Sequence, residues 1–123
     1  LLLNCGIFDM EAEWKKQGRA LTPFLTDLLG EKPTVEAVKQ MSPAQYITSD
    51  FPPVHLTTSN GDFLRKHSYR LKEVLEKKGV EVVFKEYGEK KKPQGHVFHL
   101  NLKNIVGQQC NEDQIQYIRN LIK

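Results

Sequence analysis

Three kinds of hydrophobic pattern follow one another along this chain. The first is a nearly unbroken apolar run, Leu1 to Phe8, closed by Gly6. A short run of that kind reads as a strand buried on both faces. The second kind fills residues 9–50, where brief helical patterns are broken by turn residues. Thr22-Pro23 offers an N-cap with proline in the first turn, and Gly30 a stop. Pro33-Thr34 opens a second short helix through Met41, and Ser42-Pro43-Ala44-Gln45 has capping-box spacing. A succession of short capped helices predicts a covering segment and not the framework.

The third kind begins at Phe51. Pro52-Pro53 forces an extended approach to Val54-His55-Leu56-Thr57-Thr58, a strand rich in β-branched and apolar residues. Ser59-Asn60-Gly61-Asp62 is a turn. Leu64, Leu71, Val74 and Leu75 then have helical spacing, with Lys77-Lys78 in the last turn and Gly79 as the stop. Val80 to Tyr87 reads as a second strand. Strand, helix and strand in that order predict a βαβ unit with a parallel pair. A polar loop runs from Gly88 to Gly95, and Asn111-Glu112-Asp113-Gln114 opens a last helix with Ile115, Ile118, Leu121 and Ile122 as its apolar face. The predicted class is α/β, a mostly parallel sheet flanked by helices.

Composition narrows the picture. With 39% hydrophobic and 27% charged residues, the chain is neither disordered nor collagen-like. No apolar run approaches the roughly 20 residues of a membrane span. The net charge of +3 is unevenly placed. Five basic residues face eight acidic ones through Asp62, and eleven face five from Phe63 to Lys103. The densest part, Lys90-Lys91-Lys92, sits in a loop bounded by glycine and proline, with little aromatic interleaving. It reads as a solvated face, so no nucleic-acid partner is expected. Cys5 and Cys110 lie far apart, outside any CxxC or Cys/His cluster. They read as reduced core thiols, with no metal and no cofactor implied. Without a basic leader ahead of the apolar run, no signal peptide is read and a cytoplasmic protein is expected. A core strand that begins at Leu1 with no polar lead-in is expected to continue upstream.

In a parallel α/β sheet, ligands bind beyond the carboxyl ends of the strands. Asp62 follows the strand at 54–58, and His96 follows the strand at 80–87 by a loop. A carboxylate bonded to an imidazole fixes its tautomer and stabilises the imidazolium, which is the supporting half of a Ser-His-Asp triad. Each residue has a plainer reading: Asp62 as N-cap of the helix that starts at Phe63, His96 as a loop histidine. His99, after Phe98, is the rival histidine, although its apolar setting suggests packing. His55 alternates with Val54 and Leu56 and is expected to face the other layer. His67 lies on the helix with no partner spacing. Ser42 is expected to cap, and Ser59 and Ser68 lack a nucleophile elbow. Cys110, ahead of the expected helix cap, is a weak candidate thiolate.

Taken together, several blocks resemble a known family. Ser42-Pro43, then Phe51-Pro52-Pro53-Val54-His55-Leu56 through Gly61-Asp62-Phe63-Leu64, is similar to the "SP … PP, strand, G-x-D-x-L" block of α/β-hydrolase esterases and lipases. Gly79-Val80-Glu81-Val82 resembles the following "Gly-Val, strand" block, and Gly95-His96-Val97-Phe98 the "GHxF" triad-histidine motif. Leu1–Phe8 resembles the core strand after the nucleophile's helix, so the resemblance spans the chain. It implies Asp62 as the triad acid and His96 as the general base. It also implies that residues 9–50 form cap or pocket wall, with Trp14 and Phe24 as candidates to touch an acyl group. The family order is nucleophile, acid, histidine, which puts the nucleophile upstream of Leu1. The departure is large, since no G-x-S-x-G and no HGGG-type oxyanion motif is present. Asn60 stands where many relatives carry an acid.

The resemblance thus implies the C-terminal part of a serine hydrolase that cleaves a small-molecule ester together with the upstream part of the same protein. The fragment alone would be inactive. A peptidase of the same fold shares these features. A different class, a stand-alone interaction or structural domain, would use Asp62 as a cap and the lysine loop as a contact surface. At 123 residues the chain is about half of what such a fold needs. A sheet edge exposed at the cut would invite pairing with another copy.

Overall fold

The computed structural model describes every residue, Leu1–Lys123. Its framework is a three-stranded parallel sheet in the order β1 (Leu2–Asn4), β2 (Val54–Ser59), β3 (Val82–Tyr87). Leu2 pairs with His55 and Asn4 with Thr57 on one side of β2, and Val54 to Ser59 pair with Val82 to Tyr87 on the other. All six β2 residues are buried, as expected of a central parallel strand. The expected βαβ unit is present as β2, α4 (Arg65–Lys77) and β3.

Alternation along β2 sorts its side chains between two layers. Val54 and Leu56 join Leu71 and Leu75 of α4 in the main core, with Phe8, Ile47 and Val80. His55 points the other way and packs on Tyr117 of α5 (Ile105–Leu121). Lys85 and Tyr87 of β3 reach Asp113 on the same helix. The sheet therefore carries one helix on each face, which is α/β architecture.

The covering segment comprises α1 (Met10–Gln17), α2 (Thr22–Leu29), α3 (Val35–Gln40) and a 3₁₀ turn at Pro43–Tyr46. It has its own small core of Met10, Leu25 and Val38, flanked by Trp14, Leu21 and Met41. Two of its caps differ from expectation. Thr22 lies inside α2, where its hydroxyl donates to the Gly18 carbonyl; the cap position is Leu21, with no side-chain bond. Ser42 caps no helix of its own. Its hydroxyl accepts from the Glu11 amide in the first turn of α1 and donates to the Val38 carbonyl, tying α1 to α3.

Other boundaries shift for readable reasons. β1 ends at Asn4 because Cys5 turns the chain, with φ at 50°. β3 starts at Val82 and not Val80. The last helix starts six residues before Asn111, because the Asn104 side chain accepts from the Val106 and Gly107 amides. Its buried stripe is Gly107, Cys110 and Gln114, while Ile115, Ile118, Leu121 and Ile122 are exposed. The expected apolar face of this helix thus points away from the core. The Lys90-Lys91-Lys92 loop is exposed, folded by an isolated bridge between Glu89 and Lys92. No helix is long and apolar enough to cross a membrane.

Candidate active site

The carboxyl ends of all three strands converge on one place. The turn after β2 ends at Asp62, whose side chain is wholly buried. Its Oδ1 accepts from the Leu64 amide at 2.8 Å and lies 2.9 Å from His96 Nδ1. Oδ2 accepts from the Thr58 hydroxyl at 3.3 Å. Opposite a carboxylate, Nδ1 carries the ring proton, which leaves Nε2 as the basic nitrogen. The bond to Asp62 is the imidazole's one hydrogen bond, and about a third of the His96 side chain is exposed (32%). The plainer reading of Asp62 is corrected: α4 starts at Arg65 and not at Phe63. Asp62 organises the turn before α4 but does not sit at the cap position, which is Leu64.

The histidine loop is gripped by the turn residues. Ser59 Oγ donates to the Gly95 carbonyl at 2.9 Å, the Gly61 amide to the Gln94 carbonyl at 2.9 Å, and the Gln94 amide to Asn60 Oδ1 at 3.0 Å. Glycine at 61 is required by this approach, since a Cβ there would lie 2.6 Å from the Gln94 carbonyl oxygen. Phe63 lays its ring over the imidazole, with centroids 4.7 Å apart. Four consecutive turn residues, Ser59 to Asp62, thus hold three consecutive loop residues, Gln94 to His96.

One neighbour was not legible as such. Cys5, in the turn after β1, places its sulfur within 4.8 Å of ligand atoms of Asp62 and His96. Burial pushes its thiol up to about 12, and the Asp62 carboxylate adds to that. A protonated thiol is a poor nucleophile and a poor metal ligand. Cys5, Asp62 and His96 are the residues here that could hold a metal ion. Doing so would cost the thiol proton.

The remaining candidates are elsewhere. His55 is buried between β2 and α5, and burial lowers its affinity for a proton. His99 is buried against Phe98, and burial, then His96, lowers its proton affinity too. It does not contact Asp62. His67 does have a partner that its spacing hid: Nε2 lies 3.0 Å from Glu13 of α1, both side chains being buried. Ser68 Oγ is buried without a partner, and Ser59 is spent on the Gly95 carbonyl. Cys110 lies inside α5, not ahead of it, and burial raises its thiol, so the thiolate reading fails. Both cysteines are free thiols.

A cavity of about 430 Å³ adjoins the dyad, between α1, α2 and the start of α4. Phe24 lines it, whereas Trp14 turns into the covering core and donates from its indole to Thr22. No protein-family model matches this chain, nor does any curated protein or any solved structure.

Proposed function

We propose that this chain carries the acid and the general base of a serine carboxylic-ester hydrolase of the α/β-hydrolase type. One observation carries the reading: a buried carboxylate, Asp62, bonded to Nδ1 of a partly exposed imidazole, His96, at the carboxyl ends of two adjacent parallel strands. In that arrangement Nε2 takes the proton of a serine hydroxyl as it attacks the ester carbonyl. It then returns the proton to the leaving alcohol. Asp62 holds the ring in the required tautomer and stabilises the imidazolium. The nucleophile and the N–H groups that hold the oxyanion belong to residues outside this sequence, which has no G-x-S-x-G.

The test uses the full-length protein and an activated short-chain ester. Asp62→Asn and His96→Ala should each lower kcat by about three orders of magnitude or more. His99→Ala should leave turnover close to normal. Near-normal turnover in Asp62→Asn or His96→Ala overturns the assignment.

A second reading, a non-catalytic interaction domain, draws on a separate observation, the exposed row Ile115, Ile118, Leu121 and Ile122 on α5. Full-length protein that cleaves no ester but binds a partner through that face would favour it.

A further inference from the structure

The cavity beside the dyad speaks to what is bound. Its size falls in the range of small-molecule sites. Ile7, Leu21, Phe24, Phe63 and Leu64 form its apolar wall. Two of these, Phe63 and Leu64, directly follow Asp62, and the Phe63 ring rests on the His96 imidazole. Asp62 and His96 do not themselves line the cavity; Phe63 stands between it and the imidazole.

Its polar lining is lopsided. Lys16, Lys66 and Arg70 all line it, and none of them has a salt-bridge partner in the chain. The only carboxylate among the lining residues is Glu13, and its oxygens are engaged by Gln17 and by His67. The bond from Gln17, with the charges of Lys16 and Arg70, outweighs burial and holds Glu13 ionised. Three cations thus share the lining with one carboxylate whose oxygens are already bonded. Charges of one sign around a low-dielectric wall favour a ligand of the opposite sign. A guanidinium among them suits a planar carboxylate.

From this lining we infer that the cavity takes an amphiphilic carboxylate: an apolar body along Leu21, Phe24 and Phe63, with its carboxylate among Lys16, Lys66 and Arg70. On the hydrolase reading, the substrate class is an ester that bears a free carboxylate away from the scissile bond. The binding itself does not depend on that reading.

The probe is octanoate, titrated into the chain and followed by amide chemical shifts, with octanol and octylammonium as matched controls. Octanoate should bind saturably, shift Leu21, Phe63, Leu64 and Lys66, and bind about tenfold more tightly than octanol. Arg70→Gln and Lys66→Gln should each weaken octanoate several-fold and leave octanol unchanged. Octanol bound as tightly as octanoate, a preference for octylammonium, or no saturable octanoate shift would each overturn the inference. Carboxylate binding alongside normal turnover in Asp62→Asn would sink the hydrolase reading alone. Lost turnover in that variant without carboxylate preference would sink the ligand class alone.

Discussion

Asp62 does two things with one carboxylate. It closes the turn before α4 through the Leu64 amide and it holds His96. An amide in its place has one acceptor oxygen where the carboxylate has two, both in use. Asp62→Asn should therefore cost about 1–3 kcal/mol of stability, read from urea denaturation. An unchanged midpoint would mean the bonds are not worth their burial. Leu25 and Phe63 mark the contrast between packing and binding. Leu25 is wholly buried in the covering core, so Leu25→Ala should cost about 2–5 kcal/mol. Phe63 is 78% exposed, and Phe63→Ala should change stability by less than about 0.5 kcal/mol while weakening octanoate. At this scale the positions of Asp62 and His96 were legible, because strand ends can be read from pattern and loops follow them. Cys5 was not. It reads as part of an apolar run, and only its left-handed backbone turns it toward Asp62.

Among the elements, the turn at 59–62 and the start of α5 decide most. Gly61→Ala would drive a methyl into the Gln94 carbonyl and push the histidine loop outward. The expected loss is about 1–3 kcal/mol, with a changed His96 ring environment by NMR. An unmoved His96 signal would contradict the gripping role. Asn104 caps α5 and also donates to Gln94 Oε1. Asn104→Ala should cost about 1 kcal/mol, measured as a lower thermal midpoint. The βαβ unit was legible from its periodicities and its glycine stop. The start of α5 was not, because Val106-Gly107-Gln108-Gln109 has no helical apolar spacing. Gly107 is buried because the 98–101 turn passes close to it: a Cβ there would lie 2.8 Å from the Phe98 carbonyl oxygen. That constraint is tertiary and leaves no local pattern.

For the whole molecule, buried histidines set the response to acid. His55 and His99 have their proton affinity lowered in the fold, first by burial, from an ordinary value of 6.5. The unfolded chain takes up protons there first, so stability is full above pH 6.5 and falls as the pH drops through the lowered folded values. The thermal midpoint should fall between neutral pH and pH 5, and His55→Gln should flatten that slope. An equally steep slope in the variant would contradict the assignment. Asp113 acts lower. Burial opposes its ionisation, but Lys85, Tyr87 and Gln109 outweigh that and hold its pKa at about 2, from 3.8. Its contribution is complete above pH 3.8 and lost as the pH falls toward 2. The Glu13–His67 pair fastens the covering segment to the framework, and the bond from the Glu11 amide to Ser42 fastens that segment to itself across 31 residues of chain.

By itself, then, the amino-acid sequence determined the α/β class, the parallel pairing of β2 with β3, the loop character of the lysine run and the two strand ends at which Asp62 and His96 lie. Those features follow from local periodicity, capping and turn chemistry, which act over a few residues. Only the tertiary structure decided that Cys5 stands beside the dyad, that His67 meets Glu13, that α5 buries Gly107, Cys110 and Gln114 and exposes its isoleucines, and that three unpaired cations ring a cavity next to His96. Each of these depends on contacts between segments distant in the chain. Side-chain type does not announce such contacts until packing has chosen which face of each element is covered.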